Sequence, residues 1–178
     1  MQIQSFKDLP LSREVQRSIE ELRFESLFPI QAQAIIPLLE GKDVIGQAQT
    51  GTGKTAAFGI PLIQRLNRDI RGVQGLVLAP TRELAVQVAE NMARFGKHAG
   101  IKVLAVYGGE SINKQIHALS NGVHVVVGTP GRIIDLMDRR VLNLSSVRIV
   151  VLDEADRMLD MGFIDDIKFI LSNTPRDR

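Results

Sequence analysis

The sequence contains no cysteine. That excludes a disulfide framework and any thiolate metal site, and it fits a reducing compartment. No apolar run approaches the roughly 20 residues needed to cross a bilayer. The opening stretch, Met1 to Leu9, carries Lys7 and Asp8 where a signal sequence would have an apolar core. The expected location is cytoplasmic, with no membrane partner. Low-complexity tracts and internal repeats are missing as well. Neither sign of charge predominates: 22 Lys and Arg stand against 20 Asp and Glu, a net charge of +2, so the balance does not announce a nucleic-acid binder and any such contact has to come from local groups. What remains is 178 residues, 44% hydrophobic and 24% charged. This suits one globular domain with a full-sized core.

Short apolar, β-branched runs alternate with helical patterns. The runs are Asp43 to Ala48, Gly75 to Ala79, Lys102 to Tyr107, His124 to Gly128 and Arg148 to Leu152. Continuous runs such as Ile149-Val150-Val151-Leu152 predict strands buried on both faces of a parallel sheet. Between them, Arg82 to His98 places Leu84, Val88, Met92 and Phe95 on one helical face. Thr55 to Leu66, Ser111 to Leu119, Pro130 to Asp138 and Phe163 to Leu171 read as helices too, with Pro130 where a first turn tolerates it. Alternating β and α predicts an α/β fold, a mostly parallel central sheet with helices on both faces. Ligands in such sheets bind beyond the carboxyl ends of the strands.

After the first run comes Ala48-Gln49-Thr50-Gly51-Thr52-Gly53-Lys54-Thr55. It follows the phosphate-loop pattern except at its first position, where Ala48 stands for Gly. Gly51 and Gly53 let the backbone curl so that its N–H groups face inward. Lys54 supplies a point charge for the β and γ phosphates, and Thr55 a hydroxyl for Mg²⁺. The following helix aims its positive end at the same place. The plainer reading is a glycine-rich turn between a strand and a helix.

The last run leads straight into Asp153-Glu154-Ala155-Asp156. A carboxylate ending a buried strand is costly unless a cation meets it. Mg²⁺ on a nucleotide is the natural partner for Asp153, and Glu154 is placed to orient or deprotonate an attacking water. The plainer reading is that Glu154 and Asp156 favour a helix N-terminus.

With these motifs the chain resembles the DEAD-box ATP-dependent RNA helicases, over nearly its whole length. Asp153 to Asp156 spells the family's name. Pro80-Thr81-Arg82-Glu83-Leu84-Ala85 looks like its motif Ia, Gly108-Gly109 like its paired glycines, and Thr129-Pro130-Gly131-Arg132 like its motif Ib. The resemblance implies a RecA-like fold and ATP and Mg²⁺ as cofactors. It further implies an adenine-recognition region within residues 1–31. There Arg23-Phe24-Glu25-Ser26-Leu27-Phe28-Pro29-Ile30-Gln31 departs from the family at Arg23, Leu27 and Phe28, while Phe24, Pro29, Ile30 and Gln31 match. Gln31 would read the adenine amino edge, since its amide offers an acceptor beside donors. Phe6 or Phe24 would cover the base face, with plain core packing as the alternative for each. Asp156 would link the nucleotide site to a later motif.

Pro80, Thr81, Arg82, Gly108, Gly109, Thr129, Gly131 and Arg132 form the expected RNA surface. Helix N-termini offer free N–H groups, Thr81 and Thr129 can cap them, Arg82 and Arg132 can fork onto phosphates, and the two glycines leave backbone bare. Such a surface reads phosphate and sugar without regard to base sequence, on single-stranded or duplex RNA. By themselves these residues do not separate RNA from DNA. The resemblance places residues 1–178 as the N-terminal RecA-like domain. The family's Ser-Ala-Thr motif and second RecA-like domain, with its arginine fingers, would follow. An RNA-stimulated ATPase that remodels short duplexes is the expected parent activity, with little turnover from this half alone. A nucleotide- and RNA-binding module without catalysis, or a DNA-directed motor, are the alternatives.

Overall fold

The computed structural model describes residues 4–178, and these divide into two units. One runs up to Asn67 and takes in Asn91–Ile101; the other comprises Arg68–Glu90 and Lys102–Arg178. Of the expected adenine-recognition region, residues 1–3 lie outside the described ones.

The first unit is helical. A 3-10 turn at Phe6–Asp8 precedes α1 (Arg13–Glu21), α2 (Pro29–Leu39) and α3 (Lys54–Arg65). Ser12 caps α1, its hydroxyl accepting from the Val15 N–H at 3.3 Å. Pro29 opens α2, where its fixed φ suits a first turn and its missing donor costs nothing. An antiparallel bridge between Ser5 and Ser26 ties the start of the chain to the segment before α2. It brings Phe6 onto Phe24 with ring centroids 5.3 Å apart. Phe24 in turn meets the edge of Phe95 at 6.2 Å.

The second unit carries the sheet: β1 (Gly75–Leu78), β2 (Val103–Val106), β3 (Val125–Gly128) and β4 (Ile149–Leu152). All neighbours are parallel, in the order β2-β3-β1-β4. The two central strands, β1 and β3, are buried along their whole length, which is what uninterrupted Val/Leu runs require. Helices flank the sheet: α4 (Arg82–Phe95), whose last residues belong to the first unit, then α5 (Ile112–Ser120), α6 (Pro130–Asp138), α7 (Ala155–Asp160) and α8 (Ile164–Ser172). Leu76, Leu78, Val126, Ile133, Leu136, Met158 and Ile170 form the heart of this unit's core.

Two expectations are corrected here. Asp43 to Ala48 forms no strand, and Val44 and Ile45 are exposed. A strand is defined by its ladder partners, and two β-branched side chains between Lys42-Asp43 and Gly46-Gln47 are a weak core anchor. β4 is accordingly an edge strand, half-buried and with Leu152 exposed; it pairs with β1. The other four runs and all five predicted helices form, with ends shifted by at most three residues.

Candidate functional site

The phosphate loop is built by two left-handed glycines. Gly51 has φ +80° and Gly53 φ +78°, a region that any side chain enters at a cost. Gly53 is the N-cap of α3, so Lys54 and Thr55 occupy its first turn. The free N–H groups of that turn and its partial positive charge face the loop. Thr52 stiffens the curl, its hydroxyl donating to the Gln49 carbonyl at 2.6 Å, while Gln49 and Thr50 are exposed. Lys54 and Thr55 are each partly buried.

Gln31 is 2% exposed, and both ends of its amide bond to protein. Its Oε1 accepts from the Phe28 N–H at 2.9 Å and its Nε2 donates to the Gly53 carbonyl at 3.1 Å. The first bond is half of a capping box at the start of α2; the second fastens α2 to the phosphate loop. Phe6 is 2% exposed and lies against Phe24, so Phe6 sits in the core as the packing alternative has it. Phe24 is half-buried.

Within the sheet-bearing unit, β4 delivers Asp153, whose backbone N–H continues the ladder to the Leu78 carbonyl at 2.9 Å. Glu154 follows with φ 50° and ψ 49°, a left-handed conformation that is uncommon outside glycine and concentrates at functional sites. It is the N-cap of α7, and its carboxylate pairs with Arg157 at 3.3 Å. Asp156 bends back on the next residue, accepting from the Arg157 N–H at 2.9 Å.

Because the strands are parallel, Pro80-Thr81-Arg82, Gly108-Gly109 and Thr129 to Arg132 all lie beyond the carboxyl ends of the strands, on one side of the sheet. Thr81 caps α4, accepting from the Leu84 N–H at 3.3 Å. Thr129 is the N-cap of α6, its carbonyl accepting the first helical bond from the Ile133 N–H at 3.1 Å; contrary to expectation, its side chain makes no capping hydrogen bond. Arg82 is exposed and lies over the Tyr107 ring, 4.8 Å from its centroid. Gly108, Gly109 and Gly131 are exposed, with Gly109 at φ +80°. Arg132 is different. Its side chain is 12% exposed, and its guanidinium bonds Gln115 Oε1 at 3.0 Å and the Glu110 carbonyl at 3.3 Å.

Three residues that the motifs do not cover complete this side. The Tyr107 hydroxyl donates to Glu110 Oε2 at 2.9 Å, which raises the phenol's pKa and, together with Lys114, lowers that of the Glu110 carboxyl. Gln115 is 4% exposed. Its signal was its place among Ile112, Ile116 and Leu119 on the face of α5 that packs inward: a polar residue there needs a buried partner.

A family model described as DEAD/DEAH box helicase matches residues 28–178. The chain belongs to the DEAD/DEAH box helicase family. It is 54% identical to the DEAD-box ATP-dependent RNA helicase CshA of Bacillus cereus over 96% of its length. Against the protein of that name from Geobacillus kaustophilus it is 56% identical over 98%. It covers 33% and 37% of those two relatives, about a third of their length. A crystal structure of a DEAD box protein from the hyperthermophile Methanococcus jannaschii matches the whole chain with a TM-score of 0.94 at 42% identity, the chain covering 49% of that protein. The DEAD-box motifs thus lie in a RecA-like α/β fold. Among the described residues no helix is long and apolar enough to cross a membrane.

Proposed function

We propose that this chain is the N-terminal, ATP-binding RecA-like domain of an ATP-dependent RNA helicase acting in the cytoplasm. The observation that carries the reading is the phosphate loop: Gly51 and Gly53 both left-handed, opening onto α3 with Lys54 and Thr55 in its first turn. Backbone N–H groups and a helix N-terminus in that arrangement suit the phosphates of ATP. Lys54 sets its charge against the β and γ phosphates. The Thr55 hydroxyl and Asp153 carboxylate are hard oxygen donors of the kind Mg²⁺ takes alongside phosphate oxygens, and the ion when bound neutralises charge on the transferring phosphoryl group. Glu154 orients the attacking water and accepts its proton. Gln31 turns its amide to the adenine edge, exchanging a protein partner for the base, with Phe24 near the base face. Asp156 relays the state of this site to the partner domain.

RNA lies across the carboxyl ends of the strands, held by the Thr81 and Thr129 turns, Arg82 and the bare backbone of Gly108, Gly109 and Gly131. Contacts there are to phosphate and sugar. The 2′-hydroxyl is what would separate RNA from DNA. A second RecA-like domain supplies an arginine to the transferring phosphate, an element worth roughly 10³–10⁵ in rate in phosphoryl transfer. The chain spans about a third of its relatives, which favours a second reading of these residues taken alone: a binding module that turns ATP over poorly.

The test is ATP turnover with and without single-stranded RNA, with Lys54→Ala as the blank. Nucleotide binding that depends on Lys54, with negligible turnover, is the expected result. Strong RNA-stimulated turnover by these residues would overturn the half-enzyme reading. Equal stimulation of the full-length protein by single-stranded DNA would overturn the choice of RNA.

A further inference from the structure

The turn Tyr107-Gly108-Gly109-Glu110 joins β2 to α5, and both its ends are held from outside. At the leading end the Tyr107 carbonyl accepts from Gln115 Nε2 at 3.1 Å. At the trailing end the Glu110 carbonyl accepts from both Nη1 and Nη2 of Arg132, each at 3.3 Å. The two holders are themselves joined, Arg132 Nη1 donating to Gln115 Oε1 at 3.0 Å. The chain of bonds runs from carbonyl to amide to guanidinium to carbonyl and brackets the two glycines. A third tie crosses the turn on its other side, from the Tyr107 hydroxyl to Glu110 Oε2 at 2.9 Å.

Glycines are the residues least able to hold a turn by themselves, because they lose the most conformational freedom on ordering. Gly109 has φ +80°, and at Gly108 an added Cβ would meet nothing within 4 Å, so this turn owes its shape to the bracket. Arg132, by contrast, has little left to offer a ligand. Three of its five N–H groups are donated to Gln115 and Glu110, and its side chain is only 12% exposed, with Nε 4.0 Å from Asp135 Oδ2. Drawing it out to a phosphate would leave the buried Gln115 oxygen without a donor, and an unpaired buried polar group is costly. Arg82 has the opposite character: exposed, and resting on the Tyr107 ring that the same bracket fixes.

We infer that Arg132 is a positioning residue and not a phosphate ligand: with Gln115 it presets the Gly108-Gly109 turn, and through Tyr107 it sets Arg82, so that an RNA strand meets a preformed backbone cradle. This rests on the RNA role proposed above. Preorganisation of this kind raises affinity by removing the cost of ordering the turn on binding.

The experiment uses the 178-residue chain with two readouts. Amide hydrogen exchange at Gly108, Gly109 and Glu110 reports the turn without any ligand. Binding of a fluorescent oligouridine, titrated over a range of salt, reports affinity and the number of phosphates neutralised. The variants are Gln115→Leu, Arg132→Gln and, should Gln115→Leu lose its cooperative melting transition, Arg132→Lys, which keeps the charge and loses the fork. Each is expected to speed exchange at the turn at least tenfold. Each should weaken oligouridine about tenfold, the scale of one charge-assisted hydrogen bond, with the salt slope unchanged. Nucleotide binding stays at the wild-type level, since Gln115 and Arg132 lie outside the phosphate loop. If Arg132 contacts phosphate directly, Arg132→Gln lowers the slope by about 0.7 and Gln115→Leu binds as wild type does; that pattern overturns the inference, as does unchanged exchange at the turn. If the wild-type chain fails to bind oligouridine, the RNA reading falls, while the exchange rates still decide whether the bracket holds the turn.

Discussion

Gln31 Nε2 donates to the carbonyl of Gly53 at 3.1 Å, so the residue expected to read adenine also holds the phosphate loop. A Cβ on Gly53 would run into that amide nitrogen and approach the Phe28 ring to 3.1 Å. Gly51 has the same left-handed backbone but open space around it. Gly51→Ala therefore carries backbone strain alone, about 1–2 kcal/mol, and Gly53→Ala more than that because Gln31 must also move. Gln31→Ala leaves the Phe28 N–H without its acceptor and costs about 1–3 kcal/mol, and it relieves part of the Gly53→Ala penalty. Urea unfolding of the single variants and the Gln31→Ala/Gly53→Ala pair checks this. Strictly additive losses would show that the two residues do not contact.

Glu154 trades backbone comfort for position. Its left-handed φ of 50° suits glycine better than glutamate, and its pair with Arg157 is on the surface, where such pairs contribute little. Glu154→Gly should leave stability unchanged or raise it by up to about 1 kcal/mol, and should abolish ATP turnover by the full-length protein without loss of nucleotide binding. Thermal melting beside a turnover assay separates the two effects. A marked fall in melting temperature would show that the carboxylate stabilises the fold.

Gly128 ends β3 directly before the Thr129 turn, and it has no room for a side chain. An added Cβ would stand 2.7 Å from the Val106 carbonyl oxygen and 3.0 Å from Ile133 Cδ1. The first is backbone of the neighbouring strand and cannot swing aside. Gly128→Ala is expected to destabilise by about 1–3 kcal/mol, the scale of core overpacking, and to weaken RNA binding by displacing the turn that follows. A soluble variant with wild-type stability would mean that β2 and β3 separate easily here.

Glu21 carries the clearest pH dependence. Hydrogen bonds from Lys97 and His98, each 2.7 Å long, lower its pKa from the ordinary 4.5. A carboxyl whose pKa is depressed on folding adds stability above its unfolded value, and that stability is lost as pH falls through the folded one. The pair therefore helps fully above about pH 4.5 and fades below it. The contribution is small, because the Glu21 side chain is 41% exposed and salt screens it. Glu21→Gln should flatten the acid limb of the urea midpoint between pH 3 and 6, and 1 M NaCl should shrink the difference from wild type. An acid limb identical in the two proteins would refute the assignment.

Residue order alone settled the type of most elements, because their signals are local. Val/Leu runs made strands, period-3.6 faces made helices, and Thr-Pro-Gly or Gly-x-Gly-Lys marked turns whose backbone demands few residues can meet. The motifs at the strand ends were legible for the same reason. What lay beyond the sequence was every choice of partner. Asp43 to Ala48 has the composition of a strand yet stays outside the sheet, since a strand exists only through neighbours that local pattern does not name. Phe6 could be read as a base-covering or a core residue, and only the pairing of Ser5 with Ser26 shows it buried against Phe24. Arg132 read as a phosphate fork, and only the approach of α5 to α6 gave its guanidinium to Gln115 and Glu110. A side chain's chemistry is written in the sequence; which of its possible partners it meets is decided by packing that brings residues distant along the chain into contact.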